Sequence, residues 1–172
     1  VKINLHIVLQ LVKLKNILSL LIQEALLGLK MIKDVLITKL KVISAPGGNV
    51  MHAMKENSPG YDGFGEAYFS QVDKGAIKAW KRHREMTLNL VVPVGEIRFV
   101  LFDDRNLSEV KFQEVVISKD SYHRLTIPPK IWVGFQGLSV GVSLLLNIAN
   151  IEHNQSEVDK RSIEEIEFNW SR

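Results

Sequence analysis

The sequence predicts an all-β domain, a sandwich or barrel of short strands, that follows an N-terminal helical extension. From Met31 onward the apolar residues alternate with a period of two, as the two faces of a strand require. Turn-forming residues separate these alternating stretches at the short spacing typical of such folds. The chain has 172 residues, of which 46% are apolar, so it can bury the core of one domain.

Residues 1–30 differ in kind from the rest and form the predicted N-terminal extension. They are rich in Leu, Ile and Val, and apolar residues recur at three- and four-residue steps, as an amphipathic helix requires: Leu11, Leu14, Leu18, Leu21, Ile22 and Ala25. Two interpretations are open. The helix packs on the domain or on a partner, or residues 1–30 are non-native upstream sequence ahead of a start at Met31, which we favour.

Residues 31–172 form the predicted β domain. Its strands are expected over Asp34–Ile43, Phe64–Val72, Ala76–Arg84, Thr87–Val92, Glu96–Phe102, Lys111–Ser118, Arg124–Ile127, Ile131–Phe135 and Gly141–Ile151. Loops rich in Pro, Gly, Asn and Asp lie between them, such as Ser44–Asn49 and Asn57–Gly63. The acidic segment Ser156–Ile166 is expected to form a short helix before the C terminus.

Composition excludes several classes of function. The net charge of +3 arises in residues 1–30, which hold four Lys and one Glu, so the β domain has no overall attraction to a nucleic acid. The chain has no Cys, which removes disulfides and thiolate metal sites and fits a cytoplasmic location. The longest apolar run is interrupted by Ser19, so no membrane span is expected.

Gly75–Glu85 carries an unusual concentration of charge inside a predicted strand. Side chains alternate along an extended chain, so Lys81, His83 and Glu85 share one face, while Arg82, Arg84 and Met86 share the other. A solvated edge strand would explain the charges. A polar cavity lined by one of the two faces would explain them equally.

Four segments, in a fixed order, resemble a known family. They are Phe64-Gly-Glu-Ala-Tyr-Phe-Ser70, Gly75-Ala-Ile-Lys-Ala-Trp-Lys-Arg-His83, Val94-Gly-Glu-Ile-Arg-Phe-Val-Leu-Phe-Asp-Asp-Arg105 and Arg124-Leu-Thr-Ile-Pro-Pro-Lys-Ile-Trp-Val-Gly-Phe135. Together they are similar to the dTDP-4-dehydrorhamnose 3,5-epimerase family of the cupin superfamily, over residues 31–172.

The resemblance implies a cupin jelly-roll barrel that opens onto a nucleotide-sugar pocket, in a homodimer that needs neither metal nor other cofactor. It also implies removal of a proton beside a 4-keto group and its return on the opposite face, through an enolate. Such chemistry needs a base, a donor for the enolate oxygen and an acid across the ring. Basic residues would hold the diphosphate.

The residues at the family's catalytic positions depart from its pattern. Where the family has Arg-Gly-Leu-His, this chain has Lys78-Ala-Trp-Lys81. A lysine therefore replaces the histidine that acts as the base in the family. Lys78 and Lys81 are expected to stabilise enolate or diphosphate charge. His83, two residues beyond Lys81, is predicted to transfer the proton.

Three further family features have no counterpart. The histidine of an Ala-His-Gly-Phe turn is Val133 here, and the tyrosine acid of a Thr-x-Tyr-Tyr stretch is absent from Ala149-Asn-Ile-Glu152. The Ser-x-Lys-Asp segment that supplies a carboxylate to the base is also missing. A metal cupin would need a second histidine in His-x-His spacing, but Lys81-Arg-His83 has one, so no metal site is predicted.

The remaining candidates concern substrate binding and the choice between two functions. By position in the family pattern, Lys55, Glu66 and Tyr68 are expected to contact the nucleotide sugar, and Trp80 to stack on a base or sugar. His153 is expected to be exposed in a polar loop. The predicted function is an epimerase or isomerase of a nucleotide-linked 4-keto-6-deoxy sugar in surface polysaccharide biosynthesis; the alternative is a non-catalytic cupin that binds a sugar nucleotide or glycan.

Overall fold

The structure is a computed structural model that describes residues 10, 12–19 and 31–171. The boundary between its two compact units falls after Met31. Residues 12–19 of the N-terminal unit are helical, within the stretch for which the sequence predicts a helix. Leu11, Leu21, Ile22 and Ala25, which belong to that prediction, lie outside the described residues.

Strands make up almost all of the regular secondary structure of the second unit, as the sequence predicts. In chain order they are β1 (Leu36–Lys39), β2 (Val42–Ile43), β3 (Val50–Met51), β4 (Glu66–Val72), β5 (Ile77–His83), β6 (Leu88–Val94), β7 (Glu96–Asp103), β8 (Lys111–Ser118), β9 (His123–Ile127), β10 (Trp132–Gly137), β11 (Ser143–Ala149) and β12 (Val158–Lys160). A 3₁₀ turn, Gln155–Glu157, precedes β12. The predicted strand Asp34–Ile43 is divided into β1 and β2.

Two five-stranded antiparallel sheets form the barrel. Their strand orders are β1-β9-β6-β11-β4 and β12-β5-β10-β7-β8. The core lies between them, where Leu90 and Leu125 of the first sheet meet Phe99, Ile117 and Val133 of the second. Burial of these alternate apolar side chains is the main favourable contribution to the fold. The architecture is the all-β cupin jelly roll that the resemblance implies.

A second, smaller apolar cluster covers the outside of the second sheet. Trp80 and Trp132 project outward from β5 and β10 and pack with Trp170 from the C-terminal segment. The Trp80 and Trp170 ring centroids are 5.4 Å apart. This cluster fixes the C-terminal segment against the barrel, because large aromatic rings bury much apolar surface.

The segment Ser156–Ile166 is not the short helix that the sequence predicts. It contains the 3₁₀ turn and β12, which pairs with β5 in the register Val158↔His83, Asp159↔Arg82 and Lys160↔Lys81. The acidic side chain of Asp159 pairs with arginines of β5 instead of lying on a helix surface. This long-range pairing overrides the local composition that favours a helix.

A register shift in β5 determines which side chains face the interior. Val133 of β10 pairs with Lys81, but Phe135, two residues on, pairs with Lys78, so β5 contains one extra residue between them. Such a bulge interrupts the alternation of faces. Lys78 and Lys81 therefore point to the same side of the sheet although they are three residues apart.

Candidate functional site

A cavity of about 460 Å³ lies between the two sheets, on the side where β4, β5 and β12 meet. It is lined by β4, β5, β6, β10, β11 and the segment that contains β12. Part of its wall is apolar, formed by Leu88, Leu90, Val133 and Phe135. The remainder is polar and titratable, the combination typical of small-molecule sites.

His83 is the central titratable residue of the cavity wall. It is the last residue of β5, and its Nδ1 is hydrogen-bonded to Oε1 of Glu157. Glu157 is 7% exposed, and its other oxygen accepts the backbone N–H of Arg84 at 3.1 Å. When the imidazole is neutral, a carboxylate acceptor holds its proton on Nδ1 and leaves Nε2 with a free electron pair.

The charge of Glu157 is maintained despite its burial. Burial disfavours the carboxylate, but the hydrogen bonds from His83 and from the backbone N–H of Glu85 outweigh it and lower the pKa of Glu157. Glu157 is therefore ionised at neutral pH. The pair resembles the carboxylate–imidazole arrangement that orients a histidine base in hydrolases.

Three lysines surround His83 on the same wall. Lys81 and Lys78 face the cavity from β5, and Lys160, the register partner of Lys81, faces it from β12. The ammonium group of Lys78 also donates to the carbonyl of Gln71 at 2.9 Å. Among the described residues that line the cavity none is acidic, so its electrostatic potential favours an anionic ligand.

The opposite wall is supplied by the first sheet. Tyr68 and Ser70 of β4 and Asn147 of β11 face the cavity there. Tyr68 is 44% exposed, and burial of part of its ring, together with the charge of Glu66, raises the pKa of its hydroxyl. The phenol is therefore fully protonated at neutral pH and can donate a hydrogen bond.

The structure brings five of the seven predicted site residues together around the cavity: Lys78, Lys81, His83, Tyr68 and Trp80. Glu66 begins β4 and does not line it. Lys55 lies in a loop that Arg124, buried in β9, holds through the carbonyls of Ala53 and Pro59. That loop does not line the cavity either.

Two predictions for the Gly75–Glu85 segment need correction. Trp80 borders the cavity but is 1% exposed and packs in the outer aromatic cluster, so no ring face is open to stack on a ligand. Glu85 does not share the cavity face with Lys81 and His83, because β5 ends at His83 and the chain bends there. Arg82 faces outward, as alternation predicts.

The sequence analysis missed several residues of the site. It expected no carboxylate beside the base, but Glu157 occupies that position. His153 lies in an exposed loop, as predicted, and also borders the cavity, whereas Lys160 and Asn147 were not predicted to line it. In the sequence, the pairing with β5 is indicated by the segment Glu157-Val-Asp-Lys160, whose alternating charged residues complement the basic residues of β5.

The described part of the chain was compared with the ligand arrangement of a metal site and with the length and hydropathy of a membrane-spanning helix. It contains no group of three or more His, Asp and Glu side chains arranged to hold a metal ion. Among the helices described for residues 10, 12–19 and 31–171, none is long and apolar enough to cross a membrane.

Comparison with known proteins shows that the chain is similar to enzymes that act on sugars. No family model matches the chain. The crystal structure of a dTDP sugar isomerase from Desulfovibrio desulfuricans G20 is 36% identical, with a TM-score of 0.77; the match covers 81% of this chain and 92% of that one.

Two curated relatives are named for glycan or polysaccharide biosynthesis. The "probable low-salt glycan biosynthesis epimerase Agl13" of Haloferax volcanii is 27% identical over 136 residues, which cover 77% of this chain and 87% of that protein. The spore coat polysaccharide biosynthesis protein SpsL of Bacillus subtilis is 26% identical over 147 residues, which cover 82% of this chain and 97% of that protein.

Proposed function

Because the chain belongs to the family of dTDP-sugar isomerases and epimerases, we propose that it is an epimerase or isomerase of a nucleotide-linked 4-keto-6-deoxy sugar in surface polysaccharide biosynthesis. The observation that carries this proposal is the pairing of His83 with the buried carboxylate of Glu157 inside a lysine-lined cavity. A binding protein has no need for a histidine whose proton is fixed on one nitrogen. A proton-transfer enzyme needs such a histidine.

In the proposed reaction His83 acts as the base. Its Nε2 removes the proton from a carbon beside the ketone, the C–H electron pair forms the C=C bond, and the carbonyl π pair moves to oxygen. The resulting enolate carries its negative charge next to Lys81 and Lys78, which stabilise it electrostatically. Return of a proton to carbon regenerates the ketone.

Inversion requires that the returning proton arrive from the face opposite to the base. Tyr68 stands on the first sheet and His83 on the second, so the two line the cavity from opposite walls. The raised pKa of Tyr68 keeps the phenol protonated until the enolate forms. We therefore assign Tyr68 the role of the acid, in place of the tyrosine that is absent from Ala149–Glu152.

The lysines also account for binding of the nucleotide diphosphate. Lys160 and Lys81 are neighbours across the β12–β5 pair, which places two ammonium groups side by side. Phosphate oxygens are strong acceptors for such groups. A role for Lys55 and Glu66 in nucleotide binding belongs to the same proposal, with Lys55 acting at the cavity of a second subunit. A cytoplasmic location belongs to the same proposal and is supported by the absence of Cys from the sequence.

The outer face of the first sheet supports a homodimer. Phe69 is 61% exposed on β4, the edge strand of that sheet, and its cross-strand partner is Leu146 of β11. Leu144, further along β11, pairs with the half-exposed Val94. These residues form an apolar stripe on the outer face of the sheet, next to its edge. Such a stripe is suited to a symmetric contact with the same surface of a second copy.

Sedimentation equilibrium tests the dimer directly. The wild type should sediment as a dimer and Phe69→Asp as a folded monomer, because an aspartate at this position would be buried without a partner. A monomeric wild type would refute the homodimer.

The reaction is tested with dTDP-4-keto-6-deoxyglucose in heavy water, followed by NMR and mass spectrometry. Deuterium should enter at a carbon beside the ketone. Measurable binding of the substrate without deuterium uptake would instead support the alternative, a non-catalytic cupin that binds the sugar nucleotide.

A further inference from the structure

The charged side chains on the outside of β5 have no part in the proposed reaction, yet they form a dense ionic cluster. Arg82 donates to Oδ2 of Asp159 from Nε at 3.0 Å and from Nη2 at 2.8 Å. Arg84 donates from Nε to Oδ1 of the same carboxylate at 3.0 Å. Asp159 thus accepts a two-nitrogen contact from each of two arginines of the neighbouring strand.

The cluster extends to the strands beside β5. Arg82 also contacts Asp104 at 3.2 Å, and Asp104 accepts the indole N–H of Trp132 at 3.0 Å. The guanidinium groups of Arg82 and Arg161 lie over the Trp132 ring, 4.5 and 4.4 Å from its centroid. The contacts therefore join the middle of β12, through Asp159, and the residue after it, Arg161, to the neighbouring strands of the barrel.

β12 needs such support, because it is a three-residue edge strand that pairs with β5 alone. Few backbone hydrogen bonds hold a strand of this length, and each contributes little net stability. Glu157 immediately precedes β12 and carries the carboxylate that orients His83. The position of Glu157 therefore depends on how firmly β12 is held, together with the contacts of Glu157 with the backbone of Arg84.

We propose that Asp159 is a positioning residue: by clamping β12 to Arg82 and Arg84 on the outside of the sheet, it keeps Glu157 in contact with His83 on the inside. The alternation of β5 and β12 makes this possible, since Asp159 points outward while Val158 and Lys160 point inward. The inference rests on the proposed function for its catalytic consequence, but the clamp itself can be observed without substrate.

The test compares Asp159→Ala with Asp103→Asn. Asp103 contacts Arg105 at 2.9 Å in a similarly exposed ion pair that does not touch β12, so its replacement is the matched control. The proteins are labelled with ¹⁵N-histidine, and the two ring nitrogen shifts of His83 report its tautomer. Wild type and Asp103→Asn should show a single, Nδ1-protonated neutral ring. Asp159→Ala should show averaged nitrogen shifts.

Turnover should follow the tautomer. Asp159→Ala should lower kcat for deuterium exchange by about 10- to 100-fold, the usual loss on removing an outer contact that orients a histidine. Asp159→Glu, which can still reach both arginines, should restore most of it. A folded Asp159→Ala protein with the wild-type His83 shifts would overturn the proposal.

Arg84→Met provides a second variant if Asp159→Ala does not fold. Arg84 is 58% exposed in its side chain, so its removal weakens the clamp without disturbing the core. His83 shifts midway between those of the wild type and an averaged ring are expected, and unchanged shifts would count against the clamp. Absence of exchange in the wild type would refute the proposed function and leave the tautomer result intact.

Discussion

Glu157 accepts a hydrogen bond from Nδ1 of His83, although the two residues are 74 positions apart in the sequence. The contact joins the end of β5 to the turn before β12 and places an ionised carboxylate behind the imidazole. The contact has a chemical consequence, because a carboxylate bonded to Nδ1 leaves Nε2 of the neutral ring as the nitrogen that can accept a proton. The predictions below test this pair and the groups around it.

Glu157→Gln should abolish most of the activity while preserving the fold. An amide can donate to Nδ1 and so favour the tautomer with its proton on Nε2, which cannot act as a base. We expect kcat to fall by roughly 10²- to 10⁴-fold, the range found when a histidine base or its orienting carboxylate is lost. Steady-state kinetics measures this. Glu114→Gln, an exposed residue of β8, is the control; equal losses in both variants would contradict the assignment.

The same pair should make stability depend on pH. Burial disfavours charge on Glu157, but hydrogen bonds from His83 and the Glu85 backbone lower its pKa below the unfolded value of about 4.3. A depressed pKa stabilises the folded state above that pH, and this contribution is lost as the pH falls through the folded pKa.

Urea unfolding as a function of pH measures this effect. The difference in free energy of unfolding between wild type and Glu157→Gln should be largest above about pH 4.3 and should shrink in more acidic solution. A difference that stays constant down to about pH 3 would show that the charge of Glu157 does not contribute to stability.

Tyr68→Phe should separate exchange from inversion. His83 remains able to form the enolate, so deuterium should still enter beside the ketone, but the acid assigned to the opposite wall is lost. We expect retained exchange with net epimerisation lowered about 10²-fold or more. Chiral analysis of the product sugar distinguishes deuterium exchange from net epimerisation. Tyr122→Phe, which does not line the cavity, should behave as wild type. Unimpaired inversion by Tyr68→Phe would place the acid elsewhere.

Lys160→Ala should weaken binding of dTDP itself. The lysine faces the cavity beside Lys81 and is expected to contact the diphosphate, so its loss should raise the Kd about 10-fold, as for one charged hydrogen bond. Calorimetric titration at two salt concentrations measures the effect, which should diminish at higher salt. Lys119→Ala, on the turn after β8, is the control. Equal affinity in both variants would remove Lys160 from the site.

The strands and the inner face of β5 could be predicted because they depend on local alternation. Lys81 and His83 are two residues apart, and they share a face as expected. Lys78 reaches that face only through the bulge between β5 and β10, and Trp80 turns outward at the same place. A bulge depends on the partner strand, so the sequence of β5 alone does not reveal it.

The carboxylate partner of His83 could not be predicted for a related reason. The acidic composition of Ser156–Ile166 favours an exposed helix, and its pairing with β5 depends on contacts made after the barrel closes. The arginines of β5 provide the missing information, since Arg82 and Arg84 need an acidic partner on the outside. An acidic segment that pairs with these arginines places Asp159 beside β5, and Glu157, two residues earlier, then lies beside His83.

The central claim is that His83 is the base, although Lys81 occupies the position of the family's histidine. Deuterium exchange into dTDP-4-keto-6-deoxyglucose, measured for His83→Asn and Lys81→Ala under single-turnover conditions, tests it most directly. The account predicts no enzyme-dependent exchange with His83→Asn, and slowed but measurable exchange with Lys81→Ala, because loss of an ammonium group raises the enolate energy without removing the base. Normal exchange by His83→Asn, together with none by Lys81→Ala, would contradict it.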